Sequence, residues 1–112
     1  MTCEKVAVGW AVVCNVHVDM GAMKLDEADV IGWDANTRSL HVFSVSSDGV
    51  AHDHKGTFAN DVLALEYGAT RDGKPFHEAL SFTFKSPKEL TWKDDCTLGG
   101  QPVFSGEGVY RK

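Results

Sequence analysis

The segment Leu40–Phe58 reads LHVFSVSSDGVAHDHKGTF and predicts two antiparallel strands joined by a tight turn. Two runs rich in β-forming residues, 40–46 and 50–58, flank Ser47-Asp48-Gly49, and Asp-Gly between such runs is a strong hairpin signal. We therefore expect a β-hairpin at the centre of the chain.

This hairpin predicts which side chains share a face, because successive side chains on a strand point to opposite sides. A two-residue turn at Asp48-Gly49 sets Ser47 opposite Val50. One face then collects His41, Phe43, Val45, His52, His54 and Phe58. Continuing through Ala59-Asn60 adds Leu63, Leu65 and Tyr67 to that face. The other face collects Ser44, Ser46, Asp53, Lys55 and Glu66, which we expect in solvent.

Similar runs fill the rest of the chain, separated by turn residues at fairly even spacing. The expected strands are 5–19, 28–33, 40–46, 50–58, 61–67, 76–85, 89–97 and 101–111. The stretch 20–28 fits either a helical turn or an extension of the second strand. No domain boundary is visible, so residues 1–112 are expected to form a single domain. The prediction is an all-β, antiparallel up-and-down meander of about eight strands that forms a barrel or half-barrel.

The last three predicted strands have longer loops, which weaken the assignment of faces. With apolar residues inward, Leu80, Phe82 and Phe84 face Leu90 and Trp92, and Glu78, Asp94 and Cys96 share that side. The final strand allows two alternatives. Either Val103, Ser105, Glu107 and Val109 look inward, or Phe104 and Tyr110 do, with Gly106 and Gly108 between them.

Composition excludes several classes of protein. The formal net charge is -5 without a Lys/Arg cluster, which argues against nucleic acid as a partner. No apolar run approaches the roughly 20 residues of a membrane span, and the run 6–16 continues as a strand rather than ending as a secretory signal. Cys3, Cys14 and Cys96 are odd in number and lack CxxC spacing, so neither a disulfide framework nor a zinc site is indicated. We expect a reducing compartment, the cytoplasm.

Several segments resemble the lipocalin-like calycin families of uncharacterised function. They are Ile31-Gly32-Trp33-Asp34, Lys55-Gly56-Thr57-Phe58 and Gly108-Val109-Tyr110-Arg111, within a similarity that covers Val30 to Lys112. The resemblance implies a closed barrel whose internal cavity takes a small apolar ligand. This chain departs from the families at its N-terminus, where one or two more strands are expected. A missing strand would leave an open sheet edge, which favours a homodimer.

Candidate chemistry is limited to a few polar side chains. His52 and His54 lie two residues apart, and with His41 from the neighbouring strand they have the donors of a three-histidine metal site. Packing on a half-buried sheet is the commoner role of such histidines, and we favour it. Glu78, Asp94 and Glu107 are acid/base candidates only if they face a dry cavity. Cys14 and Cys96 have no predicted imidazole partner and are expected to be packing residues.

The sequence thus predicts that the chain binds a small, largely apolar molecule inside the barrel. The expected ligand-binding residues are His41, Phe43, His52, His54, Tyr67, Phe82 and Trp92. No catalytic residue, metal ligand or cofactor is assigned. Two alternatives stay open: a small enzyme that uses the same cavity for metal-assisted or acid/base chemistry, and a non-catalytic dimeric interaction module.

Overall fold

Nine β-strands make up almost all of the protein in a computed structural model that describes residues 1–112, apart from the side chain of Met20. The strands follow one another in the sheet in chain order, and the pairs are antiparallel. They are β1 (Thr2–Val6), β2 (Ala11–Met20), β3 (Met23–Asp34), β4 (Ser39–Ser46), β5 (Ala51–Ala59), β6 (Val62–Arg71), β7 (Lys74–Ser86), β8 (Glu89–Leu98) and β9 (Gln101–Arg111). This confirms the predicted all-β, antiparallel up-and-down meander.

The strand count exceeds the expected eight because the first predicted strand is broken. A short 3-10 turn, Ala7–Gly9, separates β1 from β2. Ala7 and Val8 have φ values of 50° and 56°, which a continuous strand does not allow. The stretch 20–28, which the sequence left open, contributes mainly to β3. The described chain contains no helix with the length and hydropathy that a membrane crossing requires.

Contacts between residues group the chain into two units, Met1–Lys55 and Gly56–Lys112. The first unit contains β1 to β4 and the start of β5. Its buried side chains include Cys14, Val42 and Ser44, which are 3%, 6% and 9% exposed. The Ser44 hydroxyl donates a hydrogen bond of 2.6 Å to Asp29 Oδ1, so this buried polar group has a partner.

The faces of β4 are opposite to those predicted. Phe43 and Val45 are 47% and 42% exposed, whereas Val42 and Ser44 are buried. The reason is the loop, because the Ser46 amide donates to the Val50 carbonyl at 2.9 Å. Residues 47–49 therefore form a three-residue loop between this hydrogen-bonded pair, with Gly49 at φ +85° in the left-handed region, and the register moves by one residue from the predicted one.

The second unit contains the end of β5 and strands β6 to β9, and here most of the predicted faces are right. Leu63 and Leu65 are 9% and 2% exposed, while Glu66 is exposed. The register pairs Leu90 with Tyr110 and Cys96 with Phe104. The final strand therefore turns Phe104 and Tyr110 toward the side of the leucines, the second of the two alternatives.

Two of the three cysteines form a disulfide, which the sequence reading did not predict. Cys3 and Cys14 lie directly opposite each other on β1 and β2 and are bonded. Cys14 is buried, as expected of a packing residue, but the expectation that no disulfide forms is wrong. The spacing gave no signal, because only the turn at Ala7–Gly9 brings the two residues together. Cys96 remains a free thiol and is buried.

Candidate functional site

Neighbouring strands of the second unit carry polar side chains to one point on the same face. The register pairs Tyr67 of β6 with Glu78 of β7, and Glu78 with Cys96 of β8. Asp94 lies two residues before Cys96, so strand alternation directs it to the same side. We call Glu78, Asp94 and Cys96 the Glu78 cluster, and the side of the sheet that carries them the Glu78 face.

The Glu78 cluster is compact and mostly buried. Glu78 and Cys96 are 5% and 8% exposed. A potential ligand atom from each of the three residues lies within 4.8 Å of the others, and the Cys96 thiol is 3.7 Å from Asp94 Oδ1. Buried carboxylates lose hydration, so proteins pair them or use them to hold cations. The cluster therefore suits a positively charged or hydrogen-bond-donating group.

The cluster suppresses ionisation of its own thiol. Burial is the main cause that raises the pKa of Cys96 from 9.0 to about 12, and the negative charges of Asp94 and Glu78 add to it. Arg71 acts in the opposite direction. Since the thiolate is the reactive form of cysteine, the raised pKa disfavours Cys96 as a nucleophile at neutral pH.

Apolar and aromatic groups surround the cluster on β6 and β7. The rings of Tyr67 and Phe76 meet edge to face with centroids 6.1 Å apart. The Arg71 guanidinium carbon lies 3.8 Å from the centroid of the Phe76 ring, a cation–π contact. Leu65, on the same face, is 2% exposed. The polar cluster thus has an apolar wall with one cation at its margin.

Trp92 forms the other part of the wall and lies over the glycines of β9. Register pairs Phe82 with Trp92 and Trp92 with Gly108. A β-carbon on Gly108 would lie 2.8 Å from the indole Nε1, and one on Gly106 would lie 3.3 Å from the indole ring. Only a strand without side chains at these positions leaves room for the indole.

The opposite face of the second unit is polar. Ser105 donates a hydrogen bond of 2.7 Å to Asp95, and Lys93 lies 3.4 Å from the same carboxylate. The Ser105 hydrogen bond is the main cause that lowers the pKa of Asp95. Glu107 pairs in register with Lys93 on this side and is exposed. The acid/base hypothesis is therefore wrong for Glu107, whereas Glu78 and Asp94 do share a face.

The predicted histidines lie in the first unit. His54 is 2% exposed, His52 is half-buried, and their ring centroids are 5.5 Å apart. His41 instead has its Nε2 atom 3.0 Å from the Ser39 hydroxyl and 4.0 Å from an Asp34 carboxylate oxygen. Among the described residues, no metal-capable group includes His41. The hypothesis of a three-histidine metal site is therefore wrong.

The seven predicted ligand-binding residues divide into three groups. Tyr67, Phe82 and Trp92 share the Glu78 face of the second unit. His52 and His54 neighbour each other on β5. His41 and Phe43 lie on the side of β4 opposite to the buried Val42 and Ser44, so for Phe43 the expected inward position is wrong.

Sequence reasoning missed the pair formed by Arg71 and Phe76, because it assigned 69–75 to a loop. The structure extends β6 to Arg71 and starts β7 at Lys74, with Asp72-Gly73 as a two-residue turn. Both turn residues have positive φ, 51° and 73°, as a type I′ hairpin requires. The Asp-Gly pair was a sufficient signal for this hairpin.

No protein-family model matches the chain, and no curated protein sequence matches it significantly.

Proposed function

We propose that the protein binds a small, largely apolar molecule on the Glu78 face, as a divergent lipocalin-like domain. One observation carries the proposal: a buried carboxylate, Glu78, lies on the same face as Phe82, Trp92 and Leu65. Small-molecule sites combine such apolar walls with a few polar groups that fix orientation. Tyr67, which is half-buried opposite Glu78, supplies a further polar contact.

The charges on this face specify the ligand more narrowly. Glu78 and Asp94 are acceptors when ionised, and an ammonium or another N–H donor complements them. A carboxylate ligand, as in a fatty acid, would meet like charge. We therefore propose an apolar body with a basic or hydrogen-bond-donating end. The expected cytoplasmic location rested on the lack of a predicted disulfide, and the Cys3–Cys14 bond removes that ground, because disulfides persist mainly in oxidising compartments.

Three probes of matched chain length test this proposal: an alkylamine, an alkanol and a fatty acid. Calorimetric titration is expected to give the order amine, alcohol, acid from tightest to weakest. Glu78→Gln should weaken amine binding by roughly 10- to 100-fold, because hydrogen bonds to charged groups contribute about 1.5–3 kcal/mol. The matched control is Glu107→Gln on the opposite face, which should leave all three affinities unchanged. Equal binding of amine and acid would refute the proposal.

A second candidate function is the binding of a divalent metal ion by the Glu78 cluster, which would also serve the alternative of a metal-assisted enzyme. The distance of 3.7 Å between Cys96 Sγ and Asp94 Oδ1 favours it. Zinc bonds of about 2.0–2.3 Å in a tetrahedron put ligand atoms roughly 3.3–3.8 Å apart. Two carboxylates and a thiolate leave the fourth position open to a substrate or water.

Cobalt and zinc titrations separate this candidate from amine binding. Cobalt(II) bound through Cys96 should produce a sulfur-to-metal charge-transfer band near the ultraviolet, and zinc should remove it. Cys96→Ser should abolish the band, whereas amine binding should persist in that variant. If cobalt gives the same spectrum with and without Cys96, the thiol is not a ligand and the metal candidate is rejected.

A further inference from the structure

Strand β1 is held to the first unit by few side-chain contacts. It has five residues, of which the first four are exposed and only Val6 is half-buried. It pairs with β2 from Thr2 opposite Asn15 to Val6 opposite Ala11. Because so little apolar surface is buried, backbone hydrogen bonds supply most of the non-covalent attachment.

The turn that connects β1 to β2 is strained, and this strain favours release of β1. Ala7 and Val8 adopt left-handed backbone conformations with φ values of 50° and 56°. This region is unfavourable for residues with a β-carbon and most of all for a β-branched residue such as Val8. The Val8 side chain is fully exposed and gains no packing in return. An extended chain through 7–9 would relieve the strain.

The Cys3–Cys14 disulfide is the covalent tie across this strained turn. Its two ends differ in exposure, because Cys14 is 3% exposed whereas Cys3 is exposed on the edge strand. Thiol–disulfide exchange requires access of a thiolate to one sulfur, and the exposed Cys3 offers it. The bond is therefore open to reduction without prior unfolding of β2.

We propose that this disulfide is a redox latch: when oxidised it keeps β1 on its own chain, and when reduced it lets β1 exchange onto β2 of a second copy. A cellular dithiol attacks Cys3 Sγ, the Cys3–Cys14 bond breaks, and Cys14 leaves as a thiolate that takes a proton from water. The second thiol of the reductant then displaces Cys3. The protein gains two thiols, and the reductant becomes a disulfide.

The partner that pairs with the open edge of β2 is a second copy of this chain, because its β1 restores every interaction that the departing β1 removes. The same register pairs Glu4 with Val13 and Lys5 with Val12, so no like charges are opposed. The exchange also lets residues 7–9 extend between two chains, and short strained hinges favour such swapping. An open β2 edge would otherwise expose unpaired backbone groups. The exchange involves no residue of the Glu78 cluster.

Two single-cysteine chains test the exchange directly. Cys3→Ser/Cys96→Ser retains only Cys14, and Cys14→Ser/Cys96→Ser retains only Cys3. After mixing under reducing conditions and oxidation, β1 of one chain on β2 of the other should yield a disulfide-linked heterodimer of twice the 12.2 kDa chain mass. Either chain alone provides the matched control for random cross-linking. A mixture that gives no more covalent dimer than the separate chains overturns the proposal.

Hydrogen exchange and oligomeric mass provide the second measurement. Cys96→Ser, which keeps the disulfide, should be monomeric when oxidised and should form dimers when reduced. In dilute reduced protein, exchange of the β2 amides at 11–15 should accelerate about 100-fold, as expected when a disulfide no longer restrains local opening. Val8→Gly should lower the reduced dimer fraction by at least about fivefold, because glycine relaxes the turn. Unchanged exchange and mass on reduction would contradict the latch.

Discussion

Strands β4 and β7 both alternate in sequence, yet only β7 buries the side predicted from that alternation. On β7, Phe76 and Glu78 are 5% exposed each. On β4, Phe43 is 47% exposed while Ser44 is buried. The sequence predicted a longer loop before β7, where the structure has the two-residue turn Asp72-Gly73, yet the expected side is buried; the three-residue loop after β4 shifts the register by one residue. The comparison teaches that the residue count of a loop, rather than the apolar pattern alone, decides which face is buried.

The two units also bury polar groups in different ways. Ser44 in the first unit is neutral and bonded to Asp29. The first unit also buries His54, whereas the second buries the Glu78 carboxylate together with the Cys96 thiol, so the second unit clusters acidic groups in its interior. A neutral hydroxyl with a partner stabilises a fold, whereas a cluster of ionisable groups also responds to pH and to charged ligands.

The reactivity of Cys96 gives the largest expected effect. Its pKa rises from 9.0 to about 12, so in oxidised protein its alkylation should be about 1,000-fold slower than in the unfolded chain. The folded protein holds this proton to higher pH. The protonated Cys96 thiol therefore contributes its full stabilisation below the pKa of the unfolded chain. That stabilisation is lost as the pH rises through the pKa of the folded protein. Mass spectrometry measures the alkylation rate, and urea unfolding of wild type and Cys96→Ser at alkaline pH measures the stability. Rapid alkylation of the native protein would show that Cys96 is not protected in the second unit.

The next largest effect is on the free energy of unfolding when a buried side chain of the second unit or an exposed side chain of β4 is truncated. Leu65→Ala removes a side chain that is 2% exposed and should cost about 3 kcal/mol of unfolding free energy. Val45→Ala, at a position that is 42% exposed, should cost less than about 1 kcal/mol. Chemical denaturation measures both values. Equal losses would mean that Val45 is buried in solution, as the sequence pattern predicted.

The contact between β8 and β9 gives a smaller effect. Gly108→Ala places a β-carbon against the Trp92 indole and should cost about 1–3 kcal/mol while shifting the tryptophan emission. Gly68→Ala on β6 is the matched control, because the nearest atom to its new β-carbon is 3.8 Å away. It should change stability by less than about 1 kcal/mol. A silent Gly108→Ala would show that Trp92 does not lie on β9.

The turn after β4 gives the smallest expected effect. Asp48 accepts hydrogen bonds from the Ser46 hydroxyl and the Val50 amide, and these lower its pKa. A lowered folded pKa means that the stabilisation is present above the unfolded pKa and is lost as pH falls through the folded value. Wild-type protein should therefore lose stability on acidification relative to Asp48→Asn, with Asp53→Asn on β5 as control. Parallel pH profiles of wild type and Asp48→Asn would contradict the observed loop.

Much of the second unit could be predicted from sequence. Leu63 and Leu65 alternate with Glu66, and the joint placement of Glu78, Asp94 and Cys96 followed from turning Leu80 and Phe82 inward. The close packing of Glu78 with Cys96 did not follow, since register alone says nothing of side-chain distance. In the first unit, the faces of β4 and the three-histidine hypothesis failed together, because both depended on the same two-residue turn.

By itself, the sequence determined the all-β class, most of the strands and their antiparallel order, because β-branched and aromatic runs and turn residues act over a few neighbours. The tertiary structure decided what depends on the exact placement of distant residues. It paired Cys3 with Cys14 across a left-handed turn, and the packing of Trp92 on Gly108 fixed the inward side of β9. It also placed potential ligand atoms of Glu78, Asp94 and Cys96 within 4.8 Å of one another. A shift of one residue reverses every side chain on a strand, so such outcomes cannot be read from local pattern.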